Sequence, residues 1–275
     1  MPEQSINTAK NSTFTYCESQ IRCEEELMTV EIIGEGGRES ACRRALLASA
    51  PFCNTRRIVL LPIPSSRNSV TVTGTDVALV NVLDGEGCIV AGYGLSSTFR
   101  AMAKERGFEI VDISDDEEFT LENARLTAEC TLSYIMNESS LSVSELKIGI
   151  VGYGRIGRVL TEQLLFHGAD VTVFTRRESV RLELLFSGVD AALVADAVPS
   201  DLDYLINTAP APMLTRSQCE KIGGTVLELA SGDNLPWAKK LTRLPSLPAK
   251  MLPESSGRAY ARAIIRAVEK KEQCK

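Results

Sequence analysis

Three glycines have a spacing that suits the binding of a dinucleotide. Gly152, Gly154 and Gly157 form a G-x-G-x-x-G motif between an apolar run at 148–151 and a helical stretch at 158–166. In such a motif the first glycine makes a tight turn, the second lets the backbone approach a pyrophosphate, and the third lets helix and strand pack closely. The phosphates then lie on amide groups at the helix N-terminus. The residues of the loop expected to contact the cofactor are Gly152, Tyr153, Gly154, Arg155, Ile156 and Gly157.

The next strand is predicted at 168–174, and the residues directly after it indicate which dinucleotide binds. An NAD site usually has Asp or Glu here, which accepts hydrogen bonds from the ribose hydroxyls. This chain has Thr175, Arg176 and Arg177 instead. No carboxylate is present to repel a 2′-phosphate, and two guanidiniums can pair with it. A solvated arginine pair is the alternative interpretation; we predict that the cofactor is NADP.

A further core strand is predicted in the segment 204–210, and it ends in polar residues. Ligands of open parallel sheets bind beyond the carboxyl ends of the strands. We therefore expect Asn207 and Thr208 to border the nicotinamide ribose, with Ala209 and Pro210 beside them. Hydride transfer is predicted at this place, in a cleft between two domains, and Asn207 and Thr208 are candidate catalytic residues.

The one histidine of the chain is not a candidate for acid–base catalysis. His167 ends the helix of the glycine motif, where it interacts favourably with the negative end of the helix dipole. Acid–base chemistry would therefore need a carboxylate, lysine, tyrosine, cysteine or water. Glu129 is the candidate carboxylate. It lies four residues from Arg125, and the alternative is that the two form only a helical ion pair.

Two α/β domains are needed to position these residues. Both halves of the 275-residue chain alternate apolar runs with helical stretches, as mostly parallel sheets do. The first half has a glycine turn at 34–37, but Glu39 stands where the third glycine would be, so we assign this half to the substrate. The predicted fold is α/β, with two Rossmann-like domains. Its predicted segments are 1–27, a mobile polar tail; 28–122, the substrate domain; 123–145, a crossing helix and linker; 146–250, the NADP-binding domain; and 251–275, a helix that returns to the first domain.

Several finer predictions concern the elements of the first domain and the last helix. The predicted strands are 29–33, 58–61, 77–83, 88–91 and 108–113, and the predicted helices are 38–48 and 96–106. The acidic residues 114–118 are expected to form a loop before the crossing helix. Ser255 or Ser256 is expected to cap the last helix. The apolar stripe of that helix should pack on the first domain, and its arginines should be solvated: Arg258, Arg262 and Arg266.

Composition argues against several classes of protein. A net charge of −6 without a basic stripe argues against nucleic-acid binding. No apolar run is long enough to span a bilayer, and no signal-peptide core is present. The eight cysteines show no C-x-x-C pattern and no partner histidines, which favours reduced thiols over a zinc site. We expect a cytoplasmic protein with no metal.

From residue 28 onward the sequence resembles the dipicolinate synthase A-subunit family. Besides the glycine loop, the resemblance rests on Asn-Ala-Arg-Leu-Thr-Ala-Glu at 123–129, Tyr-Leu-Ile-Asn-Thr-Ala-Pro at 204–210, Leu-Glu-Leu-Ala-Ser at 227–231 and the proline-rich segment 244–257. The chain departs from the family pattern in five places. Leu126 replaces a proline, Cys130 and Ser246 replace glycines, Glu228 replaces an aspartate, and Gly-Asp-Asn-Leu at 232–235 replaces Arg-Pro-Gly-Gly.

The resemblance implies an NADP-linked oxidation of a dihydrodipicolinate-type ring to pyridine-2,6-dicarboxylate and a role in sporulation. It also implies a partner, a flavoprotein-like B subunit. We further expect an oligomer. Two substrate carboxylates need donors, and the candidates are Arg38, Ser65, Ser66, Arg67 and Ser96. Residues 65–67 can instead form a proline-rich loop without a ligand. Two other functions stay open: a catalytically silent NADP-binding scaffold, and a dehydrogenase of another imine or keto acid.

Overall fold

The computed structural model describes residues 21–23, 26–34, 36–49, 57–85, 88–196 and 198–273. Most of the predicted mobile tail, 1–27, lies outside these residues. Its last part forms structure, because Ile21–Cys23 (β1) pairs antiparallel with Glu26–Ile32 (β2). The prediction is wrong for these residues: three residues are too few for a strand periodicity to be read from sequence.

The first sheet contains β1 and four parallel strands in chain order. After β2 these are Arg57–Leu60 (β3), Ile89–Gly92 (β4) and Glu109–Asp112 (β5). The strand predicted at 77–83 is wrong, since Leu79–Leu83 forms a 3₁₀ helix. Its buried residues, Leu79, Val82 and Leu83, are three and four positions apart, which is a helical spacing rather than the alternation of a strand.

Helices cover both faces of this sheet. Gly37–Leu47 (α1) shares a buried cluster with Ile58 and Leu60 of β3, whereas Ser97–Glu105 (α2) shares one with Val59 and its neighbours. Alternate residues of β3 therefore enter different cores, as the pleat of a strand requires.

A helix of 22 residues, Glu117–Glu138 (α3), leads to the second sheet. It begins earlier than predicted, within the segment expected to be an acidic loop. Asp116 caps it by accepting a hydrogen bond from the Phe119 amide (2.7 Å), and the acidic first turn suits the positive end of the helix dipole. Leu126 and Cys130, which replace a proline and a glycine of the family pattern, are buried within this uninterrupted helix.

The second sheet has six parallel strands: Lys147–Val151 (β6), Asp170–Thr175 (β7), Asp190–Leu193 (β8), Tyr204–Asn207 (β9), Thr225–Glu228 (β10) and Leu241–Arg243 (β11). Their order is β11-β10-β9-β6-β7-β8. This is the order of a Rossmann fold, so the predicted fold class is confirmed. Its helices are Arg155–Phe166 (α4), Glu178–Phe186 (α5) and Arg216–Lys221 (α6).

The chain then returns to the first sheet through Leu247–Met251 (α7) and Pro253–Glu272 (α8). As predicted, α8 packs against α1, and Tyr260 is wholly buried in the cluster of the first sheet. The predicted serine cap is wrong, because the helix already begins at Pro253, a residue suited to a first helical turn. Among the described residues, no helix is long and apolar enough to cross a membrane.

The arginines of α8 are paired rather than simply solvated. Arg266 donates to both carboxylate oxygens of Asp116 (2.8 and 3.1 Å) and to Glu118 (2.9 Å), and Arg262 pairs with Glu122. These pairs tie α8 to the start of α3. The sequence spacing of the arginines shows one helix face but not the helix that packs against it.

Candidate functional site

The three glycines of the loop have three different surroundings. Gly152 has a φ of +94°, a left-handed conformation that favours glycine. A Cβ on Gly154 would meet nothing within 4 Å. A Cβ on Gly157 would overlap the carbonyl oxygen of Gly152 and lie 3.1 Å from Thr208 Oγ1. One glycine makes the turn, one leaves the approach open, and one lets α4 pack against the loop.

The N-terminus of α4 faces this opening without a side-chain cap. Gly154 is the N-cap residue and has no side chain that could accept from the first amides of the helix. Next to it, the guanidinium of Arg158 lies 5.0 Å from the centre of the Tyr153 ring. An uncapped helix N-terminus after a glycine turn is a suitable place for a phosphate.

The corresponding helix N-terminus of the first sheet is occupied by the protein itself. A Cβ on Gly36, the N-cap of α1, would overlap the carboxylate of Glu39. Glu39 is buried and also accepts a hydrogen bond from Nε of Arg38 (2.9 Å). An internal carboxylate therefore fills the position that a phosphate would take, so of the two glycine turns only the one before α4 offers an unfilled helix N-terminus.

The residues after β7 lie at the edge of a cavity. Thr175 is buried, and its hydroxyl accepts a hydrogen bond from the Arg177 amide (3.2 Å). Arg176 and Arg177 are exposed, and neither guanidinium pairs with another side chain in the described part of the protein. Arg176 lines a cavity of about 650 Å³, together with residues 193–196 and with Met213, Thr215 and Gln218.

One carboxylate lines the same cavity. Asp196 follows β8 rather than β7, and its side chain accepts a hydrogen bond from the Leu193 amide (3.1 Å). It therefore shapes the loop beyond β8. The position directly after β7, where an NAD site has its acidic residue, holds the two arginines.

Asn207 and Thr208 lie beside the glycine loop, but their side chains bind protein groups. The Asn207 amide is fully buried; its nitrogen donates to Glu228 Oε1 (2.7 Å) and to the Ala209 carbonyl (3.0 Å). The Thr208 hydroxyl lies within hydrogen-bonding distance of the Val151 and Gly152 carbonyls (3.0 and 3.2 Å). Thr208 thus holds the turn from Asn207 to Pro210 against the glycine loop, and Asn207 ties the same turn to Glu228 at the end of β10.

Glu228 is a buried carboxyl that the sequence marked only as an exchange for aspartate. It ends β10 in register with Asn207. Its Oε1 also accepts from Asn234 (3.5 Å), whereas Oε2 has no partner within the described ranges. Burial raises the pKa of Glu228 above the usual glutamate value, and the hydrogen bonds from Asn207 and Asn234 offset part of this effect. An acidic residue at the end of a buried strand was the available signal.

Four of the candidate substrate residues bind other groups of the protein through their side chains. Arg38 is buried, and it donates to the Ile63 carbonyl (2.9 Å) as well as to Glu39. Ser65 is buried and its hydroxyl accepts from the Tyr93 amide (2.7 Å). Ser66 donates to the Thr71 carbonyl (2.7 Å), and Ser96 caps α2.

Two further candidates are exposed. Arg67 is exposed on the loop after β3. Glu129 is exposed on α3. In the described part of the chain it forms no ion pair with Arg125, so the alternative interpretation of a helical ion pair does not apply. Of the charged candidates for the substrate side, Arg67 and Glu129 are thus the two without a side-chain partner among the described residues.

Residues from the first sheet and the glycine loop meet at the start of α3. Arg155, the first residue of α4, donates two hydrogen bonds to the carboxylate of Glu117 (2.9 and 2.6 Å). These bonds raise the pKa of Arg155, as does the charge of Glu117, and the nearby Tyr93 adds to the effect. Tyr93 follows β4 and was not among the sequence candidates. Its position after a core strand of the first half was the available signal.

The comparisons with known proteins bear on the fold. No protein-family model and no curated protein sequence matches the chain. Its structure is similar to the A subunit of dipicolinate synthase from Bacillus halodurans, with 20% identity, 86% of this chain and 96% of that chain covered, and a TM-score of 0.70. The A chain of dipicolinate synthase from Bacillus subtilis is 17% identical, with 89% of this chain and 96% of that chain covered and a TM-score of 0.71. The fold is that of the dipicolinate synthase A-subunit family.

A third solved structure is similar to this chain at a lower level. A transhydrogenase from Sinorhizobium meliloti is 15% identical over 78% of this chain and 74% of its own, with a TM-score of 0.57. Identities this low establish a shared fold and leave the reaction to be argued from the site.

Proposed function

We propose that the chain is an NADP-dependent oxidoreductase that converts a dihydrodipicolinate-type ring to pyridine-2,6-dicarboxylate. The observation that carries the proposal is the glycine loop. Gly154 is open, Gly157 is packed on Gly152, and the N-terminus of α4 is uncapped, all at the carboxyl edge of a sheet with Rossmann order. The sequence segments that resemble the dipicolinate synthase A-subunit family support the choice of reaction.

The preference for NADP rests on Arg176 and Arg177. Both follow β7, where the adenosine ribose of a bound dinucleotide is recognised. Their guanidiniums have no ion-pair partner in the described part of the protein, so they can bind a 2′-phosphate without first losing another contact. The cavity beside Arg176 offers the adjoining space for the adenosine.

The residues of the site bind and orient rather than transfer protons. When bound, NADP⁺ would supply the hydride acceptor for this oxidation. The ring would lose one hydride to it and one proton to water. Aromatisation drives the reaction, so little acid–base power is needed, which is compatible with a site without histidine. Asn207 and Thr208 hold the turn expected at the nicotinamide end, and Arg67 is the exposed candidate on the substrate side.

Titration of the protein with NADPH and with NADH tests the cofactor. We expect tighter binding of NADPH, and loss of that preference when Arg176 and Arg177 are both changed to Ala. Arg258→Ala, which removes an exposed arginine of α8, is the matched control and should keep the preference. Equal affinities of the unaltered protein for the two cofactors would contradict the proposal.

A second candidate is a catalytically silent NADP-binding protein. The observation that favours it is the internal pairing of Arg38, whose guanidinium is buried against Glu39 and Ile63, and of Ser65, which is bound to Tyr93. An assay for NADPH formation with a dihydrodipicolinate-type substrate separates the two candidates. The assay should be run with and without a flavoprotein-like B subunit, the proposed partner. NADPH binding without turnover in either assay favours the silent protein.

A further inference from the structure

We propose that the hydroxyl of Tyr93 binds a carboxylate of the substrate, beside the guanidinium of Arg155 at the start of α4. This inference rests on the proposed function, because it assumes that a ring dicarboxylate enters between the first sheet and the glycine loop. It adds a substrate-binding residue that lies outside the candidates read from the sequence.

The backbone of Tyr93 is held rigidly. Its amide donates to the hydroxyl of Ser65 (2.7 Å), and its carbonyl accepts from the Ser65 amide (3.1 Å). Ser65 is wholly buried. A Cβ on Gly92 would lie 2.5 Å from Ser65 Oγ, so glycine at this position leaves the room that Ser65 needs. The loop after β4 is thus locked to the loop after β3, and Tyr93 projects from a fixed support.

The ring of Tyr93 is fixed, while its hydroxyl is free. The ring lies 6.2 Å from that of Phe119, at an angle of 57°, and Phe119 in turn lies 6.2 Å from the buried ring of Tyr260. Such tilted aromatic pairs restrain orientation. In the described part of the protein the Tyr93 hydroxyl makes no hydrogen bond, and it is not among the buried polar atoms left unpaired. A tyrosine with an anchored ring and an unused hydroxyl is suited to binding a ligand.

The first turn of α3, against which the Tyr93 ring packs, also carries a carboxylate that Arg155 binds. Phe119, which touches Tyr93, lies two residues after Glu117, and Glu117 accepts two hydrogen bonds from Arg155. Paired N–H groups of a guanidinium recognise carboxylates in this geometry. Glu117 and Arg155 are both more than half exposed, so the pair can exchange partners with a ligand. Arg155 and Tyr93 lie close enough to interact electrostatically, so a substrate carboxylate at Arg155 has the Tyr93 hydroxyl nearby as a neutral donor.

Binding of pyridine-2,6-dicarboxylate, measured by calorimetry on the NADPH-loaded protein, tests this inference. Tyr93→Phe keeps the ring against Phe119 and removes only the hydroxyl. Since a hydrogen bond to a charged group is being lost, we expect the dicarboxylate to bind about tenfold or more weakly. The affinity for NADPH and the Tm should stay unchanged. Tyr134→Phe, the same exchange at a half-buried residue of α3 packed on the second sheet, is the control and should bind the dicarboxylate normally.

The outcomes separate this inference from the proposed function. Equal binding by the unaltered protein and Tyr93→Phe would overturn the role of Tyr93 and leave NADPH binding intact. If the unaltered protein bound no NADPH, the proposed function would fail, and the dicarboxylate titration of the cofactor-free protein would decide on Tyr93 by the same comparison. Absence of dicarboxylate binding in both forms of the unaltered protein would refute the inference.

Discussion

Alanine at Gly154 and at Gly157 should have opposite effects, although both glycines belong to one motif. A Cβ at Gly157 would overlap the Gly152 carbonyl oxygen and lie 3.2 Å from its carbon. These are backbone atoms, so the loop or α4 must shift. Overpacking of this kind costs about 1–3 kcal/mol. At about 2–4 °C per kcal/mol for a chain of this size, the Tm of Gly157→Ala should fall by about 2–12 °C.

Gly154→Ala should leave the fold almost unchanged. Nothing lies within 4 Å of its Cβ, and its φ of −90° is accessible to alanine. The lower entropy of the unfolded chain and the poorer N-cap offset each other to within about 1 kcal/mol. The added methyl group would instead lie where the pyrophosphate approaches. We expect the affinity for NADPH to fall at least about tenfold, the equivalent of about 1.4 kcal/mol.

Thermal unfolding and NADPH titration of the two variants give four values that check this reasoning. Gly154→Ala with normal NADPH affinity would show that the open space beside Gly154 is not the pyrophosphate site. Gly157→Ala with an unchanged Tm would show that the loop yields without cost, and that close packing of α4 on Gly152 is unimportant. A loss of both properties in both variants would mean that binding and folding of the loop cannot be separated.

Three further results are expected. Glu117→Gln frees Arg155 for a substrate carboxylate and should tighten the binding of pyridine-2,6-dicarboxylate about threefold at low salt, and less at high salt, in titrations of both proteins. Ser246→Gly removes a left-handed residue (φ 57°) and should raise the free energy of unfolding in urea by about 0.5–1 kcal/mol. Glu228→Gln should gain stability relative to the unaltered protein as pH rises above 4.5 in urea titrations. The raised pKa of Glu228 makes the unfolded chain ionise first, which destabilises the unaltered protein over that range.

The glycine loop could be predicted from the sequence because its determinants are local. A turn with positive φ, an open approach and a close helix contact all depend on residues within one motif and the next strand. The start of α3 was missed because Asp116, Glu117 and Glu118 resemble an acidic loop until their cap and dipole effects are considered together.

Tertiary partners explain what the sequence could not predict. Arg38 was a reasonable ligand for a carboxylate, but Glu39 beside it and Ile63 on the next loop already occupy its guanidinium. Tyr93 became a candidate only through the contacts of Ser65 and Phe119, which hold it near Arg155. Such contacts join residues far apart in sequence, and no periodicity or spacing reports them.

Because α8 covers one face of the first sheet, the core of that sheet can be completed only after the second sheet has been synthesised. The cluster on one face of the first sheet joins residues 30–119 with residues 259–268, and the whole second sheet lies between them in the chain. At about 5–20 residues per second, the apolar face beside α1 waits roughly 7–28 s between the synthesis of residue 119 and that of residue 259 in its covering helix. The second sheet, with its own clusters, is fully synthesised before that helix emerges. The half of the protein that is made first is therefore finished last, and for that interval the ribosome carries an uncovered apolar surface that chaperones can bind.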